Sequence, residues 1–151
     1  MGILPILGIT YYFTPDLTLT ELLKQKNPAT MKKRILIVDD EADVNFAVKM
    51  ALEENDFRVD AFDDPLLALE NFKAGLYDLL ILDIKMPKMN GFELFCKIRK
   101  IDKNVRIFFL TAGNTYYGTY ADIFDQNQVI SKPIENSELI RKVKGALELQ
   151  Y

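Results

Sequence analysis

Four short apolar stretches of the sequence each end in polar side chains that could take part in chemistry. These side chains are three carboxylates, one hydroxyl and one ammonium group: Asp39, Asp40, Asp83, Thr111 and Lys132. If the three carboxylates pack together they repel one another, because two unit charges roughly 4 Å apart cost about 4 kcal/mol at an effective dielectric constant of about 20. Such a cluster needs a cation, or one of the acids must keep its proton.

A hard divalent cation with oxygen ligands is the simplest way to offset this repulsion. Mg2+ fits because it keeps several waters and shares its coordination shell with phosphate groups. A carboxylate can also attack phosphorus and form an aspartyl-phosphate. The metal and Lys132 would then offset the negative charge on the transferring group.

Each of these residues also has a plainer interpretation when it is taken alone. Asp39 and Asp40 precede a predicted helix, where acidic side chains cap the first turn and favour the helix dipole. Thr111 can bond the backbone of a turn, and Lys132 can be a solvated surface lysine. The joint placement of all five at the ends of apolar stretches is what favours a functional site.

The elements that must position these groups alternate along the chain. Strands are predicted at 35–38, 57–61, 79–82, 105–110 and 129–131. Helical patterns follow them at about 44–52, 65–73, 92–100, 115–124 and 137–149. Strict alternation predicts an α/β domain with a parallel sheet and helices on both faces. Ligands of such sheets bind at the carboxyl ends of the strands, where the five polar groups are expected to meet.

Composition narrows the functional classes further. The 151 residues suit one domain with a short appendage, and the absence of His excludes a His triad, a His-containing zinc site or a phosphohistidine within this chain. The net charge of −3, with acids and bases mixed, gives no basic block for binding nucleic acid. No apolar run approaches the roughly 20 residues that a membrane-spanning helix needs. The single cysteine, Cys96, is expected to pack within its helix. Because no second cysteine is present to form a disulfide within the chain, a reducing, cytoplasmic setting is favoured.

The first 30 residues differ from the rest of the chain. An apolar stretch near the start is broken by Pro5 and Gly8, and a capping-box pattern predicts a short helix at 18–26. Residues 31–34 then read like a second protein start. We therefore divide the chain into an amino-terminal extension, 1–30, and a main domain, 31–151.

Four sequence blocks carry a resemblance to a known family. Residues 35–41 read ILIVDDE, residues 82–91 read LDIKMPKMNG, residues 110–112 read LTA and residues 131–133 read SKP. In this order they are similar to the receiver domain of two-component response regulators, over about residues 31–150. The resemblance implies a flavodoxin-like, doubly wound sheet of five parallel strands in the order 2-1-3-4-5, with helices on both faces.

The resemblance also implies a phosphorylation site and its metal. Asp83 corresponds to the aspartate that accepts the phosphoryl group. Asp39 and Asp40 correspond to the acidic pair that holds Mg2+ together with Asp83, and the backbone carbonyl of Lys85 corresponds to a further metal ligand.

Other residues of the matching blocks are implied to contact the phosphoryl group. Thr111 corresponds to the hydroxyl that moves to bond it, and the small Ala112 leaves its oxygens room. Lys132 corresponds to the lysine that contacts it, and the bond between Lys132 and Pro133 is expected to be cis.

The sequence departs from the family pattern beside the last strand. Val129 stands where the family usually has a Tyr or Phe that swings between buried and exposed states. The usual glycine-containing turn before it is replaced, and Asn127 is expected to take the left-handed conformation that glycine would take.

The predicted helix over 115–124 is rich in aromatic residues: Tyr116, Tyr117, Tyr120 and Phe124. One interpretation places two of them in the core and leaves two half-exposed. The other makes Tyr116, Tyr117 and Tyr120, with Val129, an output surface that docks a partner.

The resemblance implies a protein that is a phosphoacceptor and not an enzyme, beyond self-phosphorylation and self-dephosphorylation. A sensor histidine kinase or a phosphotransfer protein would supply the phosphoryl group. Because no output module is expected after the last helix, the signal would pass to an unknown downstream protein or to a homodimer formed through the fourth helix, fifth strand and fifth helix.

Two other functions compete with this one. A pseudo-receiver would act as an interaction module without phosphorylation. A phosphatase with an aspartate nucleophile would need a second aspartate two residues after Asp83, where this chain has Lys85.

Overall fold

The computed structural model describes residues 2–6, 9–13, 31–113 and 124–148. Two compact units make up the chain, residues 1–32 and residues 33–151. In the first unit, β1 (Gly2–Ile6) pairs antiparallel with β2 (Ile9–Phe13). The sequence pattern did not predict these strands, and the predicted helix at 18–26 lies outside the described residues.

The second unit is built on one sheet of five parallel strands. They are β3 (Arg34–Val38), β4 (Arg58–Phe62), β5 (Leu79–Asp83), β6 (Arg106–Thr111) and β7 (Val129–Ser131). Their order across the sheet is β4-β3-β5-β6-β7, and each neighbouring pair is parallel. Counted within this unit the order is 2-1-3-4-5, so the predicted fold is confirmed.

The helices that follow the strands are α1 (Ala42–Glu53), α2 (Pro65–Asn71), α3 (Gly91–Ile101) and α4 (Asn136–Glu148). Of the predicted helix over 115–124, the described residues include Phe124 alone, which lies in a bend. Within the part of the chain that the structure describes, no helix is both long enough and apolar enough to cross a membrane.

The interior positions of the central strands are apolar because both sides of the sheet are covered. Leu36 and Leu80 face an apolar cluster that includes residues of α2 and α3. Ile37 and Ile81, the next residue along each strand, belong to a second cluster with residues of α1 and α4. Side chains that alternate between two buried faces leave the strand ends as the places where polar groups reach solvent.

The prediction that Cys96 packs within its helix, α3, is wrong, because its side chain is exposed. The buried residues Phe92, Phe95 and Ile98 occupy one face of α3. Cys96 follows Phe95 by about 100° around the helix axis and precedes Ile98, so it falls on the solvent side of that face.

Candidate functional site

The carboxyl ends of β3 and β5 bring three carboxylates together. Asp39 and Asp83 are buried, with 0% and 4% of their surface exposed, whereas Asp40 is exposed. One carboxylate oxygen from each residue lies within 4.8 Å of the others. The sheet topology explains this proximity, since β3 and β5 are neighbouring parallel strands that end at the same edge.

Asp39 is held by bonds to the start of α1. Its Oδ1 atom accepts a hydrogen bond from the backbone N–H of Glu41 at 2.9 Å. The buried side chain of Asn45 donates to the backbone carbonyls of Asp39, at 2.8 Å, and of Phe62, at 3.0 Å. Asn45 therefore ties the loop after β3 to the end of β4. The sequence analysis missed this residue, whose signal is an amide on the otherwise apolar face of a helix.

The interpretation of the first acidic pair as helix caps is not supported. The N-cap of α1 is Glu41, which makes no side-chain capping bond. Asp39 accepts from the N–H of Glu41 itself and not from the first turn beyond it. The Asp39 carboxylate is thus turned toward the strand ends, where Asp83 lies.

A lysine from the end of β7 lies among these acids. The Nζ atom of Lys132 is 2.7 Å from Oδ2 of Asp39 and 3.6 Å from Oδ1 of Asp83. Burial lowers the pKa of Lys132, but the contact with Asp39, followed by the charge of Asp83, outweighs burial and raises the pKa above its ordinary value. Lys132 is therefore firmly protonated and neutralises part of the acidic cluster.

One lysine does not neutralise the whole cluster. Burial, and next the charge of Asp39, raise the pKa of Asp83 to about 7, although Lys132 acts in the opposite direction. The Oδ2 atom of Asp39 already faces Lys132, so among the described residues the three carboxylates share a single ammonium group within ion-pair distance. This excess of negative charge, which the raised pKa of Asp83 reflects, fits a site for a hard cation.

Thr111 ends β6 beside this cluster. Its buried hydroxyl donates to the backbone carbonyl of Gly113 at 2.7 Å. The backbone N–H of Lys132 donates to the carbonyl of Thr111 at 2.7 Å, which holds the ends of β6 and β7 together. In this state the Thr111 hydroxyl acts as a turn-bonding group, as the plainer interpretation expects.

The polar groups at these strand ends surround one open cavity of about 930 Å3. Its lining includes Asp40, Asp83, Lys85, Thr111, Ala112 and Lys132. Asp39 is fully buried beneath them. Every predicted site residue on the carboxyl edge of the sheet therefore lies in or directly under this cavity, and the Lys132–Pro133 peptide bond beside it is cis.

The loop that carries Lys85 is fixed at its far end by a glycine. The N–H of Gly91 donates to the carbonyl of Ile84 at 2.8 Å. A Cβ atom on Gly91 would lie 2.2 Å from the backbone oxygen of Asp83, a distance that side-chain carbons do not adopt. Gly91 thus lets α3 begin directly against the backbone of the candidate phosphoacceptor.

The structure describes part of the aromatic region before β7. Tyr116, Tyr117 and Tyr120 lie outside the described residues. Phe124 is half-buried, and its ring centre is 4.6 Å from that of Phe109 on β6. Val129, like Phe124, packs against the apolar cluster that contains Phe109.

The turn before β7 is built differently from the prediction. The prediction that Asn127 takes a left-handed conformation is wrong, since residues Gln126–Gln128 form a 3-10 turn. Asp125 caps this turn by accepting a hydrogen bond from the N–H of Asn127 at 3.0 Å. The turn before β7 is therefore stabilised by the Asp125 cap, and not by a glycine.

Comparisons with known proteins agree with this arrangement. A family model described as the response regulator receiver domain matches residues 35–144. The chain is 32% identical over 112 residues to the transcriptional regulatory protein DltR of Streptococcus agalactiae, a match that covers 74% of this chain and 50% of that protein. The chain thus spans about half the length of this curated relative.

Two further matches extend over nearly the whole of the related chain. The response regulator receiver protein CpdR of Brucella abortus is 31% identical over 116 residues, which cover 76% of this chain and 97% of that protein. The crystal structure of a CheY-like response regulator receiver domain protein from Methanospirillum hungatei JF-1 aligns with a TM-score of 0.67 at 29% identity. That alignment covers 80% of this chain and 97% of the other.

Proposed function

The chain belongs to the response regulator receiver domain family, and we propose that within it Asp83 accepts a phosphoryl group in a Mg2+-dependent reaction. The observation that carries the proposal is the position of Asp83, buried at the centre of the sheet edge between Asp39 and Lys132 and open to a cavity. An Asp83 oxygen forms a bond to phosphorus while the bond from phosphorus to the leaving group breaks. The leaving group keeps that electron pair, so the transfer is balanced.

The chain's own residues prepare this transfer. Asp39 and Lys132 form a buried ion pair that fixes the ammonium close to the Asp83 carboxylate. The ammonium can donate to a phosphoryl oxygen and offset its charge. Mg2+ would be held by Asp39, Asp40, Asp83 and the backbone carbonyl of Lys85, and when bound it would supply further positive charge to offset that of the transferring group.

The first test is chemical. After incubation with acetyl phosphate and Mg2+, mass spectrometry should find one added phosphoryl group per chain, and a peptide digest should locate it on Asp83. Absence of any reaction would favour the pseudo-receiver. Continuous release of inorganic phosphate over many turnovers would favour the phosphatase, although Lys85 provides no general acid for it.

Mg2+ should stabilise the fold before any phosphorylation takes place. A ligand that binds only the folded state adds about 2.7 kcal/mol to the free energy of unfolding when its concentration is a hundredfold above Kd. We expect millimolar Mg2+ to raise the melting temperature of the parent chain, and Asp40→Asn to remove most of that increase because it removes one charged ligand. The matched control is Asp43→Asn, which alters an exposed acid outside the cluster. A melting temperature insensitive to Mg2+ would contradict the metal site.

The output begins at Thr111. Its hydroxyl leaves the Gly113 carbonyl and bonds a phosphoryl oxygen, which changes the chain direction after β6. Because Val129 cannot swing as an aromatic residue does, a tyrosine among Tyr116, Tyr117 and Tyr120 takes over, or their segment moves as a unit. The displaced surface engages a downstream protein or a second copy of the chain.

The setting of this reaction follows from the family. A sensor histidine kinase or a phosphotransfer protein donates the phosphoryl group to a cytoplasmic receiver domain that begins near residue 31. The division of the chain into units at 1–32 and 33–151 supports that boundary. Catalysis by the chain itself is limited to its own phosphorylation and dephosphorylation.

A further inference from the structure

We propose that Glu41 is a positioning residue that tethers the ammonium of Lys132 at the mouth of the site and so slows phosphorylation of Asp83. This inference rests on the proposed function. The carboxylate Oε1 of Glu41 accepts a hydrogen bond from Nζ of Lys132 at 3.2 Å. The same Nζ atom is farther, 3.6 Å, from Oδ1 of Asp83.

The position of Glu41 follows from the start of α1. Its backbone N–H donates to Asp39, which anchors the residue beside the buried acid. Its side chain makes no capping bond to α1, so it is free to reach across the cavity that it lines. The result is a contact between residues 91 positions apart, across the rim of the site.

The ammonium of Lys132 has three N–H groups to distribute. The side chain is only 12% exposed, and its partner Asp39 is 0% exposed and 2.7 Å away, so this buried contact is the one expected to persist. Glu41, by contrast, is 64% exposed and its contact is longer. Glu41 therefore holds one of the two N–H groups that Asp39 leaves for a phosphoryl oxygen on Asp83.

The competition between Glu41 and the phosphoryl group for Lys132 should have a small effect on the rate of phosphorylation. An exposed ion pair contributes so little that losing it changes an equilibrium or a rate by at most about fivefold. Glu41 therefore adjusts the reaction without being required for it. Removal of the tether leaves Lys132 nearer to Asp83 and should raise the rate at which the phosphoryl group is accepted.

Two variants separate the contact from the charge. Glu41→Gln removes the charge and leaves a neutral amide oxygen as a weaker acceptor for Lys132, whereas Glu41→Asp keeps the charge and withdraws the carboxylate from Lys132 by one methylene. If the contact restrains Lys132, both variants should be phosphorylated by acetyl phosphate and Mg2+ about two- to fivefold faster than the parent chain. The matched control Glu54→Gln, an exposed acid at the far end of α1, should react at the parent rate.

The outcomes distinguish the proposals. A parent chain that takes up no phosphoryl group overturns the proposed function itself. If the parent chain is phosphorylated and both Glu41 variants react at its rate, Glu41 is not a positioning residue. If Glu41→Gln is faster but Glu41→Asp matches the parent, the effect is one of net charge at the mouth, and the tether is also overturned. Melting curves of both variants check that the fold is unchanged.

Discussion

Replacement of Asp83 by Asn is expected to abolish phosphoryl uptake and, in the absence of metal, to make the fold more stable. The side-chain amide keeps the shape of the carboxyl group but is not a nucleophile for phosphorus. It also carries no charge next to Asp39 and Asp40, so the repulsion among the three acids falls. Loss of function and gain of stability from one substitution identify a residue kept for chemistry and not for packing.

The stability change should depend on pH in a definite direction. The pKa of Asp83 is raised in the folded state to about 7, whereas an unfolded aspartate titrates near its ordinary value of about 3.9. The folded state thus binds this proton more tightly. The stability that results is fully present below about pH 4 and is lost as the pH rises to about 7.

The Asp83→Asn variant lacks this dependence, so the two proteins should diverge as the pH rises. A pKa shift of this size corresponds to about 4 kcal/mol at most, and relaxation and solvent screening are expected to leave about 1–2 kcal/mol at pH 7.5. Urea unfolding of both proteins in a metal chelator, from pH 4 to 7.5, measures the difference. A constant difference across that range, or phosphorylation of the variant at the parent level, would exclude Asp83 as the titrating nucleophile.

Replacement of Gly91 by Ala should destabilise the fold more than the small size of the added methyl group suggests. In Gly91→Ala the new Cβ would lie 2.2 Å from the backbone oxygen of Asp83, and it would also press on the backbone of Ile84. Backbone atoms cannot swing aside as a side chain does, so either α3 or the end of β5 must shift. We expect a loss of at least about 2 kcal/mol in the free energy of unfolding, in the upper part of the range for overpacked sites.

The same movement should weaken the function, because Gly91 lies against the residue that takes the phosphoryl group. Mg2+ stabilisation and the rate of phosphorylation should both fall in Gly91→Ala, even in the folded fraction. The chain contains its own control, since a Cβ on Gly145 in α4 would meet nothing within 4 Å. Gly145→Ala should raise stability by about 0.5–1 kcal/mol. Equal stability of the two variants would show that the structure relieves the contact at Gly91 without any loss in the free energy of unfolding.

The main sheet could be predicted from sequence because its central strands are covered on both faces, and such strands need consecutive apolar side chains. Residues of β5 are buried at all five positions, and the continuous apolar run over Leu79–Leu82 is typical of a strand covered on both sides. The site followed from the fold, since parallel strands that end in Asp39 and Asp83 must deliver them to one edge. The role of each residue came from the family motif.

Features that depend on single contacts were not predictable in this way. The side-chain bonds of Asn45 and the reach of Glu41 to Lys132 join residues that are distant in sequence and have no fixed spacing. The strands β1 and β2 were missed because Pro5 interrupts the first of them and was taken as a breaker. The turn at Asn127 was mispredicted because a cap from Asp125 can replace a left-handed residue.

The exposed position of Cys96 makes the natural chain ready for a spectroscopic reporter. It is the sole cysteine of the sequence, so a thiol-reactive dye or spin label attaches at one place without any prior mutation. It also lies on α3, the helix whose first residue packs against the backbone of Asp83. A label there follows in real time a helix that begins against the reacting group, while the buried face of the same helix is packed around Phe95 and Ile98.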